Sequence, residues 1–416
     1  MFFRLHSYVY KVGSINSLLY NTIDNQWYML DEICSKILNL CEKNIEVENL
    51  EFDHYIIDNY LGDLSQKGLG SFYDTKVHVE KILPFAPMVI DDKFILINLF
   101  IEFANACNEE CHYCGKDESK LWQSCRSCVM GDRKKGELNL ELVSSYMQMV
   151  KKYKPLNIII RGGNPFFKDK ELLFHFLNKI DKHTNSRITI VSNGMNINED
   201  DIIRLKTYQN EIILNIVYLG ICEQDYVRTN ANPNMLTMQN ELIDILEDKK
   251  IPYLISVNIS DRIENSLEDV DSYFNKHRGK TPIICEYFSD KKGLFSSKES
   301  RRKLNGTLNE IDFYSRRKYN PCLFGTMSIG ISQEITPCPG INRNVGALHP
   351  DGTCNIDIEL RESYWKLTKD DNKNCKICGL KYMCTDCIAL DLDYSQGCTF
   401  YDYIMENNSI DVIGAI

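Results

Sequence analysis

Residues 103–117 read FANACNEECHYCGKD and set Cys107, Cys111 and Cys114 in a C-x3-C-x2-C spacing. The stretch follows an apolar run, residues 94–103, whose composition is that of a strand. Three thiolates on one short loop can hold three irons of a 4Fe–4S cluster and leave the fourth open; four-cysteine electron-transfer sites leave none. An open iron can chelate a small molecule, and the aromatic ring of Tyr113 can pack over it. A zinc half-site competes with this reading, but structural zinc usually draws on two C-x2-C pairs.

The same alternation of strand and helix continues outward. Apolar strand runs at 94–103, 157–161, 187–192, 211–219, 252–260 and 281–288 enclose amphipathic helical patterns near 138–153, 168–183, 198–208, 234–249 and 266–277. Repeated strand–helix units mean right-handed crossovers and a parallel sheet, so an α/β fold curled as a partial or full barrel is expected. The cysteine loop then sits at the C-terminal end of the first strand, where barrel active sites are built. The second strand ends in Arg161-Gly162-Gly163-Asn164-Pro165 and the third in Ser192-Asn193-Gly194, while Asn258 lies on the fifth. Glycines at a strand end let the backbone approach a ligand closely.

In this order the pieces resemble the radical SAM superfamily. The resemblance implies a partial (β/α)6 barrel of the TIM type. The cluster would be held by Cys107, Cys111 and Cys114, with S-adenosylmethionine bound at its open iron. Tyr113 would cover the adenine. Gly162, Gly163, Asn164 and Pro165 stand where the superfamily carries Gly-Gly-Glu-Pro and would receive the methionine ammonium, with Asn164 lacking the usual charge. Ser192 and Asn193 resemble the family's Thr-Asn-Gly near the sulfonium, and Asn258 would meet the ribose. Reductive cleavage of the sulfonium would then give a 5′-deoxyadenosyl radical that removes hydrogen from an unactivated C–H bond.

A second cysteine group begins at Pro321: Cys322, Cys338, Cys354, then Cys375-x2-Cys378-x5-Cys384-x2-Cys387, then Cys398. It resembles the SPASM domain appended to radical SAM peptide maturases. The resemblance implies one auxiliary cluster on Cys322, Cys338 and Cys387, and a second on Cys375, Cys378, Cys384 and Cys398. The nearer cluster takes Cys354 as fourth ligand or keeps an open iron for a substrate thiolate. Gln333 occupies the family's Gly position, so the hairpin turn there is expected to need another conformation. A zinc ribbon on Cys375, Cys378, Cys384 and Cys387 is the alternative.

Residues 1–88 form a separate pattern, with strands at 3–11, 18–22 and 27–30 followed by two helices. Cys34, Leu38, Cys41, Ile33 and Ile37 would bury one face of the first, and Ile56, Ile57, Tyr60, Leu61 and Leu64 one face of the second. Three strands and then helices resemble the winged-helix-like modules that read leader peptides; a plain structural cap is the other reading. The expected organisation is thus a reader (1–88), a radical SAM barrel (89–290), a bridging segment with a helix of its own (291–320) and an iron–sulfur domain (321–416).

Composition bounds the rest. The chain has 416 residues, 44% hydrophobic and 25% charged, which excludes disordered, collagen-like and coiled-coil classes. The net charge of −10 disfavours a nucleic-acid partner. No signal peptide precedes the first strand and no apolar run is long enough to span a bilayer, so a cytoplasmic protein away from membranes is expected. Seventeen cysteines in that reducing compartment mean metal ligands before disulfides. Cys34, Cys41, Cys222 and Cys285 are scattered and read as small buried hydrophobes. Cys125 and Cys128 form an extra C-x2-C pair with no obvious partners. The expected activity is hydrogen abstraction from a ribosomally made precursor peptide, with a Cys thioether crosslink first and a carbon–carbon crosslink or epimerisation behind it. Its partners are the precursor with its leader and a low-potential electron donor. Competing readings are a sulfatase-type protein maturase and a non-catalytic iron–sulfur scaffold.

Overall fold

The computed structural model describes the chain except residues 15–16, 83–94, 104–105, 113, 115–127, 129–137, 169, 261–262, 264, 266, 279–282, 289–309, 342, 374, 385–410 and 414–416. Tyr113, Cys125, Cys387 and Cys398 therefore lie outside the described residues, as does the side chain of Cys285. Contacts divide the chain into two compact units: Met1–Asp92, Lys303–Pro321 and Lys366–Ile416 form one, Lys93–Arg302 and Cys322–Trp365 the other.

The first unit opens with strands β1 (Phe2–Leu5), β2 (Val9–Val12), β3 (Leu18–Asn21) and β4 (Gln26–Leu30), helices α1 (Glu32–Cys41) and α2 (His54–Gln66), and strand β5 (Gly70–Tyr73). The single strand expected over 3–11 is two strands, because the chain turns at His6, whose carbonyl accepts from Val9 N at 3.0 Å. β1 then pairs antiparallel with β5, while β2, β3 and β4 form a meander. Both helices start on an aspartate whose side chain accepts an otherwise orphaned amide: Asp31 from Cys34 N at 2.7 Å, Asp53 from Tyr55 N at 2.8 Å. Cys34, Ile37, Leu38 and Cys41 are buried with Ile57, Tyr60, Leu61 and Leu64, whereas Ile33, expected on the buried face, is 41% exposed. A one-residue offset on a helix turns a side chain by about 100°, which carries Ile33 off the stripe.

The second unit is built on β6 (Asn98–Glu102), α3 (Leu140–Tyr153), β7 (Asn157–Arg161), α4 (Lys170–Asp181), β8 (Arg187–Ser192), α5 (Glu199–Lys206), β9 (Ile212–Tyr218), α6 (Glu223–Arg228), α7 (Met235–Lys249), β10 (Tyr253–Ser260), α8 (Leu267–Arg278) and β11 (Ile283–Phe288). Neighbouring strands from β6 to β11 are all parallel and follow chain order, which makes the sheet the wall of a partial barrel. Strands β7 and β8 fall where the sequence puts them, since runs such as Asn-Ile-Ile-Ile-Arg bury alternate isoleucines: Ile158 and Ile160 have no exposed surface. Burying one such side chain is worth about 1.5–3 kcal/mol. Helix α6, absent from the sequence reading, has only six residues and too little periodicity to register. Cys222, expected in the core, is exposed at its N-cap.

After α9 (Glu310–Arg316), which belongs to the first unit, β12 (Thr326–Ile329) returns to lie parallel beside β6. Strands β13 (Glu334–Thr336), β14 (Gly346–Leu348) and β15 (Cys354–Ile356) extend the sheet antiparallel, followed by α10 (Ile358–Trp365). Gln333 closes the β12–β13 turn with φ +69°. It adopts the left-handed conformation itself, contrary to the expected change of turn type. Gln333 N to Gly330 O (2.9 Å) and Gly330 N to Glu334 O (3.1 Å) hold it there, offsetting a cost of about 1–2 kcal/mol. Finally β16 (Asp411–Ile413) joins the first unit, parallel to β4. Among the described residues no helix is long and apolar enough to cross a membrane.

Candidate active site

The C-terminal ends of β6, β7 and β8 gather most of the sequence-predicted residues. Cys107, Cys111 and Cys114 follow β6 on one loop and are partly exposed. Cys114 N donates to Cys111 O at 3.0 Å, which draws the last two of the three cysteines together. β7 ends in Gly162 and Gly163, at φ +88° and +58°. Only glycine holds two successive left-handed residues cheaply, and the pair turns the backbone back toward the cysteine loop. There Asn164 N reaches Ala106 O and Gly163 N reaches Cys128 O, each at 3.0 Å.

Asn164, with no exposed surface, ties these segments together. Its amide nitrogen donates to Asn108 Oδ1 at 3.0 Å and to Met195 O at 2.9 Å; its oxygen accepts from Ser192 Oγ at 3.0 Å and Phe166 N at 3.2 Å. The side chain is committed to protein partners on three loops. Asn193 is likewise buried, and its amide donates to Asn108 Oδ1 at 3.1 Å and lies 3.6 Å from Cys107 Sγ. A fixed N–H at a thiolate sulfur is how a protein tunes an iron–sulfur centre from outside its ligand set. Ser192 Oγ also accepts from Gly194 N at 3.0 Å. Pro165 is buried beside Asn164, and Asn258 lies buried on β10, two strands beyond β8.

Several supporting residues escaped the sequence reading. Asn108, between two candidate ligands, accepts from both Asn164 and Asn193 and donates to Glu109 Oε1 at 2.8 Å. The segment after α6 clamps the cysteine loop: His112 N donates to Thr229 O (3.0 Å), Asn230 Nδ2 to Glu110 O (2.9 Å) and Asn232 N to Glu109 Oε2 (2.8 Å). Gln239 on α7 holds Asn193 from behind through its carbonyl at 2.7 Å. Adjacency in the chain could have flagged Asn108; Thr229, Asn230 and Asn232 come from over a hundred residues away, Gln239 from forty-six residues beyond Asn193, and none carries a local motif.

Cys128, left without partners by the sequence, is brought to the same place. Burial pushes its thiol well up, and the neighbouring Cys107, Cys111 and Cys114 push it further. That mutual influence places the three loop thiols around one region. Among the described residues no three His, Cys, Asp or Glu side chains close on a single-ion site. A cluster asks for less, one thiolate per iron, and the all-sulfur donor set with an N–H aimed at one sulfur fits it.

The remaining cysteines divide between the units. Cys322 is exposed and Cys338 partly exposed in the second unit; there Cys354, on β15, has its sulfur 3.0 Å from Tyr153 Oη and 3.9 Å from Lys152 Nζ. In the first unit Cys378 N donates to Cys375 O at 3.0 Å, and Leu380 N to Cys378 Sγ at 3.3 Å. Cys378 and Cys384 pack against the same buried pair, Leu18 and Leu380.

Residues 101–222 match the family model described as the Radical SAM superfamily. Those residues of the central α/β barrel, with the three-cysteine loop at their start, thus carry a radical SAM domain. No curated protein sequence matches the chain significantly. Among solved structures it is similar to Streptococcus suis SuiB bound to S-adenosylmethionine, at 13% identity and TM-score 0.45 over 95% of this chain and 96% of that one. It is also similar to anSMEcpe with bound AdoMet, at 13% identity and TM-score 0.49 over 74% of this chain and 93% of that one.

Proposed function

We propose that this radical SAM enzyme modifies a ribosomally made precursor peptide, installing a Cys thioether crosslink, with a carbon–carbon crosslink or epimerisation as the next reactions in order. The observation that carries the reading is the convergence of Cys107, Cys111 and Cys114 at the end of β6, with Asn193 against Cys107 and the Gly162–Gly163 turn alongside. When bound, the reduced cluster and S-adenosylmethionine supply a 5′-deoxyadenosyl radical able to take hydrogen from an unactivated C–H bond.

The chain's own residues position and shield. Cys107, Cys111 and Cys114 would hold the cluster, and Asn193 would stabilise charge on the Cys107 sulfur. Gly162 and Gly163 bend the strand end so that its carbonyls can serve a ligand ammonium. Asn164 and Ser192 fix the mutual position of the three strand ends. Tyr113 and Asn258 would meet the adenine and ribose.

The cysteine-rich tail supports auxiliary clusters on Cys322, Cys338 and Cys387 and on Cys375, Cys378, Cys384 and Cys398. The turn at Cys375–Cys378, with Leu380 N on the Cys378 sulfur, is a conformation that presents thiolates to a metal. Because Tyr153 already engages the Cys354 sulfur, a nearer cluster with three protein ligands and an iron open to a substrate thiolate is the favoured form. The small module at the start of the chain would read the leader by strand addition, and a low-potential donor would deliver the electron. The test is co-expression with a short Cys-containing peptide encoded beside this chain. Loss of a pair of hydrogens from the peptide supports a crosslink. An unchanged mass and unchanged stereochemistry would remove the peptide reading.

A further inference from the structure

Gly13, in the connection between β2 and β3, meets two demands at once. Its φ is +80°, and a Cβ there would lie 2.5 Å from Gly379 N and 2.8 Å from the Cys378 carbonyl carbon. Backbone atoms cannot swing aside as a side chain can, so the position is closed to any larger residue on both counts. Next to it Ser14 N donates to Ile377 O at 3.0 Å. Further along the meander, Leu18 on β3 and Trp27 and Met29 on β4 pack with Cys378, Leu380, Met383 and Cys384. The same segment is anchored a second time by Asp370, which accepts from Lys381 Nζ at 2.5 Å and Tyr382 Oη at 2.6 Å. All of these residues belong to the first unit. Residues 375–384 are thus seated on the meander, backbone against backbone at the turn that carries Cys378.

We infer that the β2–β3 connection is part of the frame of the metal site formed by Cys375, Cys378 and Cys384, with Gly13 as its positioning residue, and that metal loading of this loop is coupled to order in the meander β2–β4. The inference rests on the reading of these cysteines as metal ligands. Its physical basis is linkage. Metal binds the conformation in which the thiolates converge, so its binding free energy also stabilises whatever holds that conformation. The approach of Gly13 to Gly379 and the bond from Ser14 to Ile377 exist only when loop and meander are both in place. Such coupling is reciprocal: weakening the seat weakens the metal, and removing the metal loosens the seat. The N-terminal sheet and the cysteine tail, distant in the chain, thereby act as one cooperative body.

The test compares the full-length parent with Gly13→Ala and Gly68→Ala. Gly68 also has a left-handed φ, +67°, but a Cβ there meets nothing within 4 Å, so its variant carries the backbone strain without the contact. After anaerobic reconstitution with iron and sulfide, the parent and Gly68→Ala are expected to hold about twelve irons per chain and Gly13→Ala about eight. Formation of 5′-deoxyadenosine by Gly13→Ala shows that its barrel is folded. Hydrogen exchange in the parent gives a readout that needs no variant. Stripping the metal should speed exchange of the Ser14 amide about tenfold, while the Leu69 amide, bonded to Leu64 O at 2.9 Å in the same module, changes little. About twelve irons in all three proteins, with Ser14 exchange unchanged by metal removal, would overturn the inference and leave the auxiliary clusters standing. One zinc in the parent, lost from Gly13→Ala and kept in Gly68→Ala, would support the coupling while replacing the farther cluster by a zinc site. A parent that binds only about four irons and no zinc would overturn both.

Discussion

The side-chain amide of Asn193 lies 3.6 Å from the sulfur of Cys107 while its backbone carbonyl is held by Gln239 at 2.7 Å. A residue at the end of β8 thus touches the first cysteine after β6 and is itself fixed by a helix forty-six residues on. Hydrogen bonds to a cluster sulfur favour the more negatively charged, reduced state. Asn193→Ala is expected to lower the reduction potential of the first cluster without changing its iron content, as read by a redox titration followed by electron paramagnetic resonance. An unchanged potential would mean that the amide does not serve the sulfur.

Asn164 makes its hydrogen bonds to Asn108, Met195, Ser192 and Phe166 without solvent exposure. Asn164→Ala leaves buried donors and acceptors unpaired, at a cost of about 1–3 kcal/mol in unfolding free energy. Asn164→Glu, which restores the residue usual in the superfamily, is expected to destabilise as well, since a carboxylate would face the Met195 carbonyl and the Asn108 side-chain oxygen. Urea unfolding of both variants measures this, and a Glu variant as stable as the parent would contradict the hub role.

Much of this site was legible in the sequence. The β-branched runs of β7 and β8 end where the chain's own glycines and asparagines stand, so the residue pattern alone places Gly162, Gly163, Ser192 and Asn193 at strand ends. What holds them was not legible. The clamp from Thr229 to Asn232, the arrival of Cys128 and the pairing of β16 with β4 join residues distant in the chain, and such contacts leave no local period. The break of the first strand at His6 escaped for a related reason, because β1 and β2 are equally apolar and only the partner β5 separates them. Gln333 shows the opposite error: a residue unsuited to a left-handed turn adopts one because surrounding backbone hydrogen bonds over-determine it.

Lys11 is half-buried, donating to Gly13 O and Ser17 Oγ, and its partial burial pulls its ammonium down to about 8. A base whose folded-state value lies below its unfolded one binds fewer protons when folded. Its unfavourable contribution is complete below about pH 8 and is relieved as the pH rises toward the ordinary lysine range. The stability of the parent relative to Lys11→Met should therefore increase between about pH 7 and pH 9, measured by urea unfolding at each pH. A difference that stays constant or falls would show that Lys11 is not desolvated.

Iron content tests the proposed auxiliary clusters. Anaerobic reconstitution is expected to load about twelve irons per chain, and Cys375→Ala about eight, if each of three clusters carries four. About four irons with one zinc would replace the auxiliary clusters by a zinc ribbon.

The central claim is that Cys107, Cys111 and Cys114 hold a cluster that cleaves S-adenosylmethionine. It is tested most directly by measuring 5′-deoxyadenosine formed by the reduced, anaerobically reconstituted protein and by its Cys111→Ala variant. The parent should form it, and the variant should form none while keeping its fold by circular dichroism. Undiminished 5′-deoxyadenosine from a folded Cys111→Ala protein would contradict the assignment of the site.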